Sequence, residues 1–165
     1  MDCAVLCFVL FCTMSFSYGD EGYDTDPCEP GDTGVYPHSK CQMYYNCSMK
    51  ITEFRPWLGD HVMECHYPDL FSTLTESCAN FKTVTCGSRK EFKHGCEYLN
   101  NQCNGPQCRS CIYDYSKCTV RNGFIPMDSM PNSPYYGECD EWRFTKMTCP
   151  RGKIFDQTSK VCKPY

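Results

Sequence analysis

The sequence predicts a small, disulfide-rich, mainly β protein built from two tandem hairpin-type modules, the second a degenerate copy of the first. Three observations lead there. Cysteine is abundant, at 17 of 165 residues. Gly and Pro, 11 of each, recur along the chain and interrupt any long helical period. Short runs rich in aromatic and β-branched residues, QMYYN, KITEFRPW, FKTVTC and EWRFTKMTC, alternate with turn residues and read as short strands. Cores this small rarely suffice alone, so the disulfides are expected to stabilise each module.

Taken in order, residues 1–19 read as a secretory signal peptide. MDCAVLCFVLFCTMSFSYG carries an apolar run from Ala4 to Phe16, then Ser17 and Gly19 at the small-residue positions of a cleavage site before Asp20, although it has no Lys or Arg in front. The run is too short to span a bilayer. Its removal takes Cys3, Cys7 and Cys12 and leaves 14 cysteines. An even number at this density in a secreted chain means disulfides rather than thiolate chemistry.

Residues 20–27 form an acidic N-terminal segment, part of the stretch DEGYDTDPCEPGD (20–32). It has some capacity to attract divalent cations, but reads first as a solvated, flexible terminus. Residues 28–86 form the first module, and the cysteine-free, charged stretch GSRKEFKHG (87–95) a linker. Residues 96–165 form a Cys-rich segment followed by the reduced second module. Beyond the leader, 16 Lys and Arg face 19 Asp and Glu. That balance argues against nucleic acid, whose phosphates need a basic surface, and against an anionic membrane.

The repeat is visible in the spacings. The first six cysteines, Cys28, Cys41, Cys47, Cys65, Cys78 and Cys86, are separated by 12, 5, 17, 12 and 7 residues. A tyrosine pair precedes Cys47 in CQMYYNC (41–47), and another precedes Cys139 in SPYYGEC (133–139). Cys149 and Cys162 repeat the 12-residue gap of Cys65 and Cys78. Ser133 stands where Cys41 would, and nothing after Cys162 matches Cys86. The second copy therefore lacks the second and sixth cysteines together, which leaves no orphan thiol if those two pair. The repeat thus predicts a Cys41–Cys86 bond. Cys96, Cys103, Cys108 and Cys111 read as two disulfides rather than a zinc site, with three pairings open.

These residues resemble the peritrophin-A, or type-2 chitin-binding, module of carbohydrate-binding family 14. The likeness rests on CQMYYNC, CHYPDLFSTLTESC (65–78) and the upstream YPH (36–38) in the first copy, and on CPRGKIFDQTSKVC (149–162) in the second. The first copy departs from the family in lacking C-P-x-G after Cys65 and in placing Ser72 where an acid is usual. The second carries Tyr135 and Tyr136 one place further from its cysteine and has a 20-residue gap between Cys118 and Cys139. The resemblance implies the pairs Cys28–Cys47, Cys41–Cys86, Cys65–Cys78, Cys118–Cys139 and Cys149–Cys162. It implies chitin as the partner, no enzymatic activity and no cofactor. Paired degenerate modules with CEYLNNQCNGPQCRSC (96–111) between them further resemble the chitin-binding regions of molluscan shell-matrix proteins. That likeness implies an extracellular matrix, with other matrix proteins or calcium mineral as further partners.

Chitin presents apolar pyranose faces and polar edges, so a binder needs flat aromatic rings with polar tips. The candidate contacts are Tyr44, Tyr45, Phe54 and Trp57 in the first copy, and Tyr135, Tyr136 and Trp142 in the second. Neighbouring strand residues face opposite sides, so one of Tyr44 and Tyr45 is expected in the core. Phe71 and Phe155 read as core, and Asn46 and Asp156 as turn caps. Asn46-Cys47-Ser48 fits a glycosylation sequon, but its middle residue is a cysteine expected to be bonded. The four histidines belong to no nucleophile motif, and neither Gly-x-Ser-x-Gly nor HExxH occurs. No catalytic or metal site is assigned. The rival functions are a disulfide-framed protease inhibitor or defence protein, and a matrix scaffold that has lost sugar binding.

Overall fold

A computed structural model describes residues 24–49, 58–103, 107–127 and 129–165. Two three-stranded antiparallel sheets, each followed by a two-stranded hairpin, make up the architecture. In the first unit β1 (Val35–Pro37), β2 (Met43–Asn46) and β3 (Val62–Glu64) form one sheet, and β4 (Leu70–Ser72) pairs with β5 (Ser77–Ala79). In the second, β6 (Gly123–Pro126), β7 (Tyr135–Asp140) and β8 (Arg143–Thr148) form the sheet, and β9 (Lys153–Asp156) pairs with β10 (Val161–Pro164). The fold is small, disulfide-rich and mainly β.

Alternation along β2 decides which side chains are inside. Met43 and Tyr45 are buried while Tyr44 and Asn46 are half-buried. With Leu58 and Val62 they form the first core, closed by Cys28 and Leu99. In the second unit Ile125, Met127, Cys139 and Phe144 cluster with Cys118. Both cores are only a few side chains deep, so cross-links carry much of the stability. Among the described residues there are seven: Cys28–Cys47, Cys41–Cys86, Cys65–Cys78, Cys96–Cys111, Cys103–Cys108, Cys118–Cys139 and Cys149–Cys162. Among the three pairings open to the middle four, the fold adopts the nested one.

Two expectations are corrected. FKTVTC is not a strand: Phe81–Thr83 is a single 3-10 turn, started by the Asn80 side chain, which accepts from the Lys82 N–H at 3.0 Å. The asparagine cap bends the chain into a turn there in place of an extended run. The acidic segment is tied down from Asp24 onward. The Asp24 carboxylate accepts from the Ser39 N–H at 3.1 Å and lies 2.8 Å from His38 Nδ1, and the Asp26 carboxylate lies 2.9 Å from His61 Nδ1. KITEFRPW, and with it Phe54 and Trp57, lies outside the described residues, as does the leader.

The segment between the two units packs against both. Cys41 N–H donates to Lys90 O at 2.8 Å, and Lys90 N–H to Ser39 O at 2.7 Å. The buried Glu64 carboxylate accepts from the N–H groups of Leu99 (3.0 Å) and Asn100 (2.6 Å). Tyr98 is fully buried and donates its hydroxyl to Asp69 O at 3.1 Å. Arg143 of the second unit is also buried, at 2% exposure; it pairs with Glu91 and lies over the Phe81 ring at 4.1 Å.

Candidate functional site

Superposed hydrogen bonds identify the equivalent residues of the two units. Phe71 N–H donates to Cys41 O (2.9 Å) in the first, and Phe155 N–H donates to Ser133 O (3.2 Å) in the second. Cys65 N–H donates to Gln42 O (2.8 Å), and Cys149 N–H to Pro134 O (2.8 Å). Ser133 therefore occupies the place of Cys41. Its hydroxyl donates to Met130 O at 2.7 Å and accepts from the Tyr135 N–H at 3.2 Å, so a local turn replaces the cross-link.

Continuing along the strand, Tyr136 matches Tyr44 and Gly137 matches Tyr45. The register agrees. Tyr44 lies opposite Pro37 and Met63, and Tyr136 opposite Pro126 and Met147. The shift of the second tyrosine pair relative to its cysteine is thus real: Tyr135 takes the position of Met43. The position of Tyr45 has become glycine because the Phe144 ring fills that space, and a Cβ on Gly137 would fall 2.0 Å from a ring carbon.

Tyr45 itself does not present a ring to solvent. At 4% exposure it is part of the first core, its hydroxyl reaching Asp24 O at 3.4 Å, and burial with the nearby Asp24 and Asp26 carboxylates pushes its pKa up to about 12. As a sugar-stacking contact it is corrected to a core residue, for the reason the strand alternation anticipates.

What the two units share is a half-buried tyrosine lying flat on a buried phenylalanine. Tyr44 stacks on Phe71 with centroids 4.7 Å apart and planes at 14°; Tyr136 stacks on Phe155 at 4.7 Å and 8°. The phenylalanines are 1% and 5% exposed. A ring held face-on by a buried partner keeps its plane fixed and offers the rest of its surface without an ordering cost. The β2–β3 and β7–β8 hairpins set the tyrosine, and the β4–β5 and β9–β10 hairpins, each closed by a disulfide, set the phenylalanine beneath it. In the second unit Phe124, on β6, meets Tyr136 nearly perpendicularly at 5.6 Å and extends the apolar face. Phe124, Met63, Pro126 and Met147 belong to no motif, and Pro37 only to the YPH element; the strand register, and for Phe124 the ring contact, place them beside the tyrosines.

The other candidates disperse. Tyr135 is exposed on the opposite face of β7, under the Lys146 ammonium at 4.9 Å. Trp142 is 45% exposed and sits with Glu141 in the two-residue β7–β8 turn, both at positive φ (68° and 49°), as a primed hairpin turn requires. Five strand steps separate Tyr135 from Asp140, about 17 Å, so Trp142 and the tyrosines occupy opposite ends of the hairpin. Asn46 and Asp156 are turn residues. Asn46 Oδ1 accepts from Ser48 Oγ at 2.6 Å, and Asp156 Oδ1 accepts from the Ser159 N–H at 2.6 Å and hydroxyl at 2.7 Å. Those bonds, with Lys163, hold the Asp156 carboxyl well below the usual carboxylate range. Ser72 fills the same role in the first unit, its hydroxyl accepting from the Thr75 N–H at 3.3 Å.

Among the described residues, Asp26, Cys28 and His61 are the group whose donor atoms converge as a metal site would, but Cys28 is in a disulfide. Among the same residues no helix is long and apolar enough to cross a membrane. Seven disulfides are the mark of an oxidising compartment.

Comparison with curated proteins yields no match to this chain. Comparison with family models yields the Chitin binding Peritrophin-A domain, matched twice, over residues 28–86 and 118–165, and no enzyme family is indicated. The two matches coincide with the two sheet-plus-hairpin units and cover well over half of the chain, which belongs to the Chitin binding Peritrophin-A domain family.

Proposed function

We propose that the protein is a secreted, non-enzymatic organiser of chitin in an extracellular matrix, and that each module holds the polymer on its backed tyrosine. The observation that carries this reading is the recurrence of one stacked pair, Tyr44 on Phe71 and Tyr136 on Phe155, at equivalent places in two modules whose surrounding sequence has diverged. A pyranose ring lays its C–H face on such a platform, while its hydroxyl and amide groups stay at the edge. Chitin repeats the same unit, so two modest sites on one chain gain by avidity. Family membership supports the ligand, and the disulfide content supports the compartment.

The modules of this reading are residues 28–86 and 118–165, with Tyr44, Tyr136 and Phe124 as principal contacts and Trp57 a further one in the first. The setting is a mineralised shell of molluscan type, where other matrix proteins or calcium mineral are the additional partners. Its support is the likeness of CEYLNNQCNGPQCRSC and its flanking modules to shell-matrix sequences.

The test is retention of the oxidised protein on chitin beads beside cellulose beads, with a reduced and alkylated sample as control. Retention on chitin alone, lost on reduction, is expected. Equal retention on both polymers, or none on chitin, overturns the reading in favour of a scaffold or inhibitor.

A further inference from the structure

The segment between the two matched regions, residues 87–117, builds a groove together with Cys118, Ser129 and Trp142 of the second. Two adjoining clefts of 480 and 470 Å³ share His94 and Lys117 as a common wall. One opens toward Trp142 and Lys93, the other toward Ile112 and Tyr113. Trp142, Tyr113 and Ile112 are 45%, 43% and 62% exposed, so flat or apolar surface lies at both ends of the groove. The platforms Tyr44 and Tyr136 take no part in it.

The charge of the groove runs against that of the chain. The protein as a whole is acidic, at −4. Here Lys93 and Lys117 extend into the groove, and the Arg109 guanidinium lies over Tyr113 at 4.8 Å. Among the described residues neither lysine has an ion-pair partner, and the nearby acids are already engaged. Glu91 pairs with Arg143, Asp140 with Lys82, Glu141 with Arg121 and Asp114 with Lys146. The Glu97 carboxylate lines the first cleft and its charge counts there, held at the edge by the His94 N–H at 2.9 Å in a capping box, but the two lysines outnumber it. His94 Nδ1 accepts from the Cys96 N–H at 3.1 Å, which leaves Nε2 to donate in the neutral ring.

We propose that this groove is a second glycan site, distinct from the chitin platforms, which takes a polysaccharide carrying carboxylate or sulfate groups. Planar rings at the two ends accept sugar faces, and the cations between them accept the acidic substituents, with His94 as a further donor. An acidic peptide satisfies the cations but has no flat apolar face for Trp142. The groove is open and elongated, which suits a polymer passing through rather than an enclosed small molecule. A protein holding chitin on its modules and an anionic glycan on its middle segment bridges two polymers.

The test uses the whole oxidised protein and three probes in calorimetry: heparin hexasaccharide, hyaluronan hexasaccharide and poly-aspartate. Heparin or hyaluronan is expected to bind, with affinity falling as salt rises; binding of hyaluronan shows that carboxylate suffices, and binding of heparin alone shows that sulfate is needed. The double variant Lys93→Gln/Lys117→Gln is expected to weaken that binding by about tenfold. Trp142→Ala is expected to weaken it as well, while retention on chitin stays unchanged in both. These side chains are exposed, so the variants are expected to melt as the wild type does. Absence of binding by either glycan, binding indifferent to both variants, or stronger binding of poly-aspartate overturns the proposal. Loss of chitin retention in Trp142→Ala with anionic binding intact overturns it too, and returns Trp142 to the chitin site.

Discussion

The Tyr67 hydroxyl accepts a hydrogen bond from the Phe144 N–H at 2.7 Å, across 77 residues of chain, and donates one to Lys93 O at 3.3 Å. One oxygen thereby ties the first module, the connecting segment and the second module. Phe144 lies on β8, an edge strand whose N–H would otherwise face away from β7. The Tyr67 ring also meets Tyr98 and Tyr115 edge-on at 5.1 and 5.2 Å. Burial pushes its pKa up to about 12, so the hydroxyl stays protonated. Tyr67→Phe keeps the ring contacts and removes both bonds. The expected cost is about 1–2 kcal/mol in denaturant unfolding, with the disulfides intact.

Arg143 makes the second tie. Its side chain is 3% exposed, pairs with Glu91 and covers Phe81. Arg143→Ala is expected to lower stability by about 2 kcal/mol, from lost cation–π contact and packing, with the ion pair discounted because Glu91 is a third exposed. Limited proteolysis is the sharper readout: cleavage within 87–95 is expected to accelerate in the variant and not in Lys117→Gln.

How far was this legible beforehand? The cysteine gaps and the tyrosine pairs carry the two-module plan, because disulfide geometry and strand alternation act locally and leave spacings behind. The missing Cys41 and Cys86 equivalents point to each other for the same reason, and the structure has that bond. The stacked pairs were half visible: Tyr44 and Phe71 are each in a motif, but only the fold brings the two hairpins together. Arg143 and Tyr67 were invisible as inter-module ties. A lone arginine reads as surface, and a lone tyrosine beside a proline reads as loop, until a distant segment packs on them. Nor do spacings choose among the pairings of Cys96, Cys103, Cys108 and Cys111, since all three close small loops. FKTVTC misled because its β-branched composition outweighed the Asn80 cap just before it.

Gly137 is the point where the modules exchange one solution for another. Tyr45 fills the first core from β2, and Phe144 fills the second from β8. Gly137→Ala places a methyl against the Phe144 ring and is expected to cost roughly 1–3 kcal/mol through overpacking. Thermal unfolding of the variant measures it. The double variant Gly137→Ala/Phe144→Leu is expected to recover part of the loss, because the smaller side chain makes room.

The second module folds without a counterpart of Cys41–Cys86. Removing that bond from the first module as Cys41→Ser/Cys86→Ser is therefore expected to leave the fold and chitin retention in place while lowering stability. The bond spans 45 residues, for which the chain-entropy relation gives about 4 kcal/mol. Either single variant leaves a free thiol and is expected to form mixed disulfides during secretion, visible as dimer on a non-reducing gel.

Whether the backed tyrosines hold chitin is decided by comparing ring removal with hydroxyl removal at both. Chitin-bead retention is measured for Tyr44→Leu/Tyr136→Leu and for Tyr44→Phe/Tyr136→Phe, with disulfides verified by mass and folding by circular dichroism. The leucine pair, correctly folded, is expected to wash off the beads, the phenylalanine pair to stay bound, and each single leucine variant to elute early because one platform remains. A folded leucine pair retained as firmly as the wild type would place the chitin contacts elsewhere on the molecule.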